Sequence, residues 1–368
     1  MSSSGTDRPL RVTFLTWRDL AHPQAGGSEV LIDRLAQGCV ERGHDVTLMC
    51  GGPLARHPYR AHDLGGEFGQ YLRAPLAYAR HARGADVIVD VENGVPFFSP
   101  LWSRAPVVCL VHHVHGPQWR LRFNRAVAAV GWALERRAMP VVYRRAPFIA
   151  MSPSTAAALG QIGVPQRSIT VMVNGVDIPA QNGHVRSPEP LFVALGRLVA
   201  HKRLDLLLRA WERVRPRVGG RLVIAGAGPE LARLQATAGP GAEVLGPVSE
   251  AEKRRLLSSA WLLVHPAMHE GWGIVVMEAA AHATPTLAFD VAGVRDAVVR
   301  DVTGVLVDDE DALVRRWLEL AGDGERREQL GQAALARARE FSWAQTVDRF
   351  DALVRAAAAP RRSTRRLP

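Results

Sequence analysis

The sequence predicts an α/β fold made of two doubly wound, parallel-sheet domains with a cleft between them. Three observations predict it. The chain has 368 residues, more than one ordinary α/β domain uses and about right for two. It opens with a β-loop-α-β pattern, the start of a parallel sheet wound with helices. That alternation lapses in a segment rich in Pro, Gly and Asn over residues 174–190 and then begins again.

In order along the chain, residues 10–16 are short, β-rich and apolar, and predict the first strand. A turn-rich loop ends in Gly26-Gly27-Ser28-Glu29. Residues 30–42 run at helical spacing and stop at Gly43, and residues 46–50 form the second strand. Buried strands are predicted at 86–91, 106–112, 147–151 and 169–173, with helical stretches between most of them. After the loop, strands are predicted at 191–195, 221–226, 261–265 and 286–290, and helices at 203–214, 229–236 and 273–283. The last helix is predicted over 342–358. The domain boundaries that follow are an N-terminal domain at 10–180, a C-terminal domain at 181–341 and the closing helix at 342–358. Residues 1–9 and the basic residues 359–368 are expected to be disordered.

Composition narrows the classes of function. A hydrophobic fraction of 47% with mean hydropathy of −0.03 fits large buried cores. No run approaches the roughly 20 apolar residues that span a bilayer, and the polar start carries no secretory pattern. Cys39, Cys50 and Cys109 sit singly among apolar neighbours, as core residues rather than a disulfide or zinc framework. A cytoplasmic protein is expected, with the inner face of the membrane as a place of peripheral contact. The formal charge of +10 is local. Four arginines lie in the tail, and residues 118–145 hold seven arginines against Glu135, a net +6. Two readings of that segment stay open. It is a solvent-facing surface in a chain where 44 of 46 basic residues are Arg, or it greets anionic lipid or an acidic acceptor. Nucleic acid is disfavoured, because no aromatic-basic interleaving or nucleic-acid motif accompanies the charge.

Chemistry concentrates in residues 261–278, Trp-Leu-Leu-Val-His-Pro-Ala-Met-His-Glu-Gly-Trp-Gly-Ile-Val-Val-Met-Glu. A buried strand runs into a loop with Glu270, Gly271 and Gly273, where a helix starts. Glycines let backbone approach a ligand closely, and the free N–H groups of a helix start favour an anion. Glu278 falls more than one turn into the helix and leans back over the same place. One carboxylate at the mouth and one on the flank suit hydroxyl recognition around a phosphate. Arg197 and Lys202 lie in a strand-to-helix loop at the C-terminal edge of the sheet, where doubly wound folds bind ligands. A guanidinium and an ammonium there stabilise the negative charge that grows on a departing diphosphate, without a metal.

The 270–278 segment resembles the E-x7-E motif of retaining glycosyltransferases of family 4, whose fold is GT-B: two Rossmann-like domains facing across a cleft. Five further elements strengthen the resemblance. Gly196-Arg197 with Lys202 resembles the family's G-R-x-x-x-x-K element. Residues 223–230 and 245–249 resemble the next two strand-loop elements. Val173-Asn174-Gly175-Val176-Asp177 is similar to the family's domain junction, and Phe341-Ser342-Trp343 to the start of its final helix. By resemblance, that helix crosses back to cover the first domain. The resemblance also implies residue roles. Glu270 contacts the donor sugar, the Gly273 and Ile274 N–H groups contact the distal phosphate, Glu278 holds the ribose, and Gly271 belongs to the donor-binding loop. Gly246 and Val248 bracket the loop that holds the base.

The N-terminal half is less explicit. Gly26 and Gly27 resemble the family's glycine-rich loop, which closes over donor phosphates and acceptor; a plain tight turn is the alternative. The family places one His after the strand that ends here at 112. Position favours His112 for contact with the reacting sugar, with His113 and His115 as competitors. The spacing H-H-x-H shows no carboxylate or Cys partners nearby in sequence, so no metal site is expected. Asp90, Glu92 and Asn93 end another strand and are candidates for acceptor hydroxyls, or for loop caps. Trp17, Arg18 and Asp19 have the same dual reading.

The resemblance thus implies transfer of a hexosyl unit from a UDP- or GDP-linked sugar to an acceptor hydroxyl with retention. It implies a metal-independent front-face mechanism and no cofactor. The acceptor is a small molecule, a glycan or a lipid-linked species. The rivals are another GT-B enzyme, such as a nucleotide-sugar 2-epimerase or a phosphorylase, and a non-catalytic nucleotide-sugar-binding protein. An epimerase needs no acceptor, and a binding protein gives no turnover. A dehydrogenase is disfavoured, since no G-x-G-x-x-G follows the first strand.

Overall fold

A computed structural model describes residues 8–66, 68–179 and 185–359, apart from the side chains of Pro117, Leu121 and Arg122. The first lobe is built on a parallel sheet of β1 (Arg11–Arg18), β2 (Asp45–Gly51), β3 (Arg60–Asp63), β4 (Val87–Glu92), β5 (Val107–Val111), β6 (Phe148–Ala150) and β7 (Ile169–Val171). Their order is β3-β2-β1-β4-β5-β6-β7. The second lobe holds β8 (Leu191–Leu195), β9 (Arg221–Ala225), β10 (Ala242–Gly246), β11 (Leu262–His265), β12 (Thr286–Phe289) and β13 (Gly304–Val307). Their order is β10-β9-β8-β11-β12-β13. In each sheet the order reverses beside the first strand, which opens a crevice at the carboxyl ends of the central strands. The two-domain α/β prediction is met.

Most predicted elements stand within two or three residues of where periodicity puts them. The first helix, Gly27–Glu41, begins at the glycine pair itself. The helix Leu204–Val218 runs four residues past its predicted end and includes Pro216, which sits in its last turn. Three strands are absent from the predicted set: β3, β13 and β10, an edge strand in which only Val244 and Gly246 are buried. β3 has only half-buried and exposed side chains, as an edge strand does, and so carries no apolar run. β13 is four residues long and starts on Gly304, which leaves Val-Leu-Val as its whole signal. Arg8 and Pro9 are corrected from the expected disordered segment. Arg8 pairs with Asp86 at 2.9 Å, and the Arg355 side chain donates to the Arg8 carbonyl at 3.0 Å. The expectations for residues 1–7 and 360–368 lie outside the described residues.

Both faces of each sheet are covered, so the central strands are buried throughout, as in β4 and β8. Cys39, Cys50 and Cys109 are free and buried in the first lobe. The final helix, Trp343–Ala358, leaves the second lobe and returns to the first. There Val347, Phe350 and Val354 join the core beneath β1, and the Phe350 ring stacks on Phe14 at 5.7 Å. The chain therefore passes between lobes twice, and the two passes are tied. Val176 N–H donates to the Phe341 carbonyl at 3.0 Å, and Thr346 Oγ1 donates to the Val173 carbonyl at 3.1 Å.

Candidate functional site

The second-lobe site starts where β11 ends. After His265 the chain makes the 266–273 loop, and the helix Ile274–Ala281 follows. Gly273 caps that helix at φ 77°, ψ 54°, and no side chain caps it. A left-handed cap favours glycine, and the absent side chain leaves the first-turn N–H groups free for an outside acceptor. Gly246 ends β10 at φ 76°, and half-buried Val248 follows it at the same sheet edge.

Two ion pairs organise the site. The Lys202 ammonium pairs with Glu270, whose carboxylate also accepts from His265 Nε2 at 2.8 Å. Burial works against the Glu270 charge, yet the Lys202 ammonium and the His265 hydrogen bond outweigh it and hold the carboxyl below its ordinary range. Glu270 is therefore an anion at any physiological pH. Lys253 Nζ lies 2.7 Å from Glu278 Oε1 and 2.9 Å from Glu250 Oε2. Burial lowers the Lys253 pKa, and the two carboxylates more than reverse it. Arg197 is half-buried between the lobes, and among the described residues no carboxylate pairs with its guanidinium.

The first lobe closes on this edge through small residues. A β-carbon on Gly26 would sit 3.3 Å from Arg197 Cδ, and one on Gly27 would sit 2.5 Å from Ile274 Cδ1. A β-carbon on Gly271 would come within 2.8 Å of the His112 carbonyl oxygen. Gly26, Gly27, Gly271, Arg197, Ile274 and His112 thus meet across one cleft. His112 is 8% exposed, its Nε2 has no hydrogen-bond partner, and burial lowers its pKa to about 4 despite the pull of Glu29. Its ring is neutral at pH 7. His113 is also driven down by burial; it packs edge-on to His269 at 4.9 Å, beside Glu270.

Two acceptor candidates are corrected. Asp90 is fully buried and accepts from Phe97 N–H at 3.0 Å, Ser99 N–H at 3.2 Å, Ser99 Oγ at 2.6 Å and the Tyr143 hydroxyl. It anchors the turn after β4 and has no face left for an acceptor. Glu92 is fully buried as well and accepts from Gly94 N–H at 2.5 Å. Asn93 is half-buried. The apparent lack of carboxylate partners for the histidines is also corrected: His115 Nδ1 lies 3.4 Å from Glu135 Oε1 and 3.9 Å from Glu92 Oε1. Asp19 is structural, since it accepts from His57 Nε2 at 2.7 Å and from Ala55 N–H at 2.5 Å.

Three residues of the cleft were not picked out from sequence. His265 supports Glu270, and its place at the strand end five residues before the glutamate was the available signal. Lys253, on the helix Glu250–Ser259, holds Glu278. Glu29, 4% exposed, accepts from Gly26 N–H at 2.8 Å and Ser28 Oγ at 2.7 Å and faces Arg18 at 3.4 Å. The spacing of Glu29 three residues after Gly26 is the N3 position that reaches back to a helix start.

The architecture is GT-B. Anabaena HepE in complex with UDP and glucose superposes with a TM-score of 0.77 at 18% identity, covering 94% of this chain and all of that one. WaaG, a glycosyltransferase involved in lipopolysaccharide biosynthesis, superposes with a TM-score of 0.75 at 15% identity, covering 93% of this chain and 99% of that one. The chain belongs to glycosyltransferase family 4: residues 25–179 match the profile of Glycosyltransferase Family 4, and residues 179–337 that of Glycosyl transferases group 1. Among curated relatives, the D-inositol 3-phosphate glycosyltransferase 1 of Catenulispora acidiphila is 29% identical over 96% of this chain and 97% of its own length. The D-inositol 3-phosphate glycosyltransferase of Xylanimonas cellulosilytica is 36% identical over 42% of this chain and 39% of its own length. The matched stretch spans half or less of each of the first three such relatives.

Proposed function

We propose that the protein transfers a hexosyl unit from a UDP- or GDP-linked sugar to an acceptor hydroxyl with retention of configuration. One observation carries the proposal: Arg197, Lys202 and the uncapped start of the helix Ile274–Ala281 converge on one sheet edge that the glycine pair of the other lobe covers. That edge suits a diphosphate. In the proposed step the bond from the anomeric carbon to the phosphate oxygen breaks, and the acceptor oxygen bonds to the same face. The acceptor proton passes to the departing phosphate. Arg197 and Lys202 stabilise the charge gathering on that phosphate. Glu270, an anion held by Lys202 and His265, binds sugar hydroxyls and does not act as a nucleophile. Neutral His112 offers its unpartnered Nε2 to the sugar. The glycosyltransferase activity for which the relatives are named and the UDP bound to HepE agree with this class of reaction.

Calorimetry with UDP and GDP, in buffer containing EDTA, tests the donor side. Saturable binding of one of them, lost in Arg197→Ala, is expected. Absence of binding by both, or binding only with added Mg²⁺, rejects the site. Product analysis then separates a glycoside from an epimerised sugar.

For the acceptor we propose a lipid-linked molecule met at an anionic membrane surface. In residues 118–145, Arg125, Arg136, Arg137, Arg144 and Arg145 are exposed, while Glu135 is buried. Phe68, Leu72 and Leu76, spaced four apart at and along the helix Gly69–His81, are 57%, 86% and 70% exposed, and Phe68 meets Phe123 of the basic segment at 6.2 Å. Exposed apolar side chains next to cations fit an interfacial face. No described helix is long and apolar enough to cross a membrane. Cosedimentation with phosphatidylglycerol vesicles, weakened in a Leu72→Ser, Leu76→Ser variant, is expected. Equal recovery with phosphatidylcholine vesicles rejects the proposal.

A further inference from the structure

We propose that Glu92, His115 and Glu135 bind one divalent transition-metal ion in the first lobe, apart from the donor edge. Three stretches distant in sequence deliver the side chains: the end of β4, the loop after β5 and the π-helical turn Leu134–Ala138. Each offers one ligand atom, and these atoms lie within 4.8 Å of one another. π turns inside helices recur at functional sites, because they re-aim a side chain.

The cluster differs from a solvated acidic patch. Glu92 and Glu135 are both fully buried, so neither charge is met by bulk water. Among the described side chains no Lys or Arg pairs with either carboxylate; the nearest ring nitrogen is His115 Nδ1, 3.4 Å from Glu135 Oε1 and 3.9 Å from Glu92 Oε1. Two buried carboxylates facing each other need a counter-charge. Glu92 Oε2 has no hydrogen-bond partner, and neither has His115 Nδ1. Two donor atoms with lone pairs are thus left over within reach of a third.

The surroundings hold the donors in place. Glu135 accepts from the backbone N–H of His115 at 2.6 Å and of Gly116 at 3.3 Å, and from Trp119 Nε1 at 2.9 Å. Gly94 N–H fixes Glu92 Oε1. Hydrogen-bonded carboxylates of this kind orient metal ligands. The His115 side chain, 20% exposed, gives an entrance. One imidazole nitrogen with carboxylate oxygens selects zinc or manganese. Calcium and magnesium prefer oxygen alone, and no thiolate is present for a softer ion. A bound ion would brace the loop that carries His112 and His113.

The test uses the full chain, stripped with chelator, without nucleotide or acceptor, so its outcome is independent of the donor proposal. Zinc chloride and manganese chloride are titrated in separate arms. One equivalent of either ion is expected to bind, with affinity at least tenfold lower in Glu92→Gln and His115→Ala. Glu92→Gln keeps the amide oxygen for Gly94, and near-ultraviolet circular dichroism checks each fold. A measurement on the unmodified chain stands beside the variants: its manganese resonance spectrum should show coupling to one imidazole nitrogen. No saturable uptake of either ion overturns the proposal. Uptake unchanged in Glu92→Gln, or no nitrogen coupling, overturns it equally.

Discussion

Lys253 Nζ sits 2.7 Å from Glu278 Oε1, and it completes a pattern. The sequence has 46 basic residues and only two lysines; one pairs with Glu270 and the other with Glu278. A compact ammonium leaves room beside a carboxylate that a guanidinium fork would fill. If Glu278 holds a ribose, Lys253 aims it. Lys253→Met should weaken UDP or GDP binding roughly tenfold, read by calorimetry, with the melting temperature little changed. An unaltered dissociation constant would show that Lys253 serves stability alone.

Glu270 and Lys202 should behave as a unit. Glu270→Ala and Lys202→Ala are each expected to slow transfer by about two decades or more. Because Glu270 is assigned to the sugar, Glu270→Ala should keep near-normal affinity for free UDP or GDP. Lys202→Ala should lose nucleotide affinity as well. Turnover at the unmodified rate in both variants removes them from the reaction.

The cleft glycines differ in what a methyl group would meet. At Gly27 it meets the tip of Ile274, which moves; at Gly271 it meets the His112 main-chain oxygen, which does not. Gly271→Ala should therefore hold the lobes apart and reduce kcat/KM by tenfold or more, while Gly27→Ala loses less. Small-angle scattering of both variants with nucleotide bound checks the order. A more open envelope for Gly27→Ala than for Gly271→Ala contradicts it.

Burial of neutral His112 couples folding to pH. Its folded pKa is about 4 against 6.5 for a free imidazole, so the unfolded chain binds more protons between those values. Stability is complete above about pH 6.5 and falls as pH drops toward 4, by about 3 kcal/mol from this residue. Urea midpoints from pH 7.5 to 4.5 measure it, and His112→Asn should flatten the slope. An identical slope in the variant assigns the effect to other groups.

The legibility of this molecule in its sequence follows locality. Arg197, Lys202, Glu270, Gly273 and Glu278 lie in strand-loop-helix segments whose own residues mark them as candidates. Lys253 and His265 were missed because what matters is a partner in space; Lys253 is 25 residues from Glu278 and on another helix. Asp90 shows the reverse. A polar residue ending a buried strand looks the same whether it faces a ligand or caps a loop, and Tyr143, 53 residues onward, decides for the loop. β3, β10 and β13 went unseen because edge strands and a four-residue strand need too few apolar side chains to leave a pattern. The class of the fold survived those gaps, since the repeated βα alternation spans hundreds of residues and no single strand carries it.

The doubled passage between the lobes limits how they move. Two neighbouring segments, bonded through Val176 and Phe341, behave as paired knuckles on one pin: swinging is allowed, and sideways slip or twist is resisted. Any parting of the opposing walls along that pin would bring Gly271 back against the His112 carbonyl on return. A single cut of the chain near the first passage would leave the halves fastened, because the last helix is locked into the far core by Val347, Phe350 and Val354.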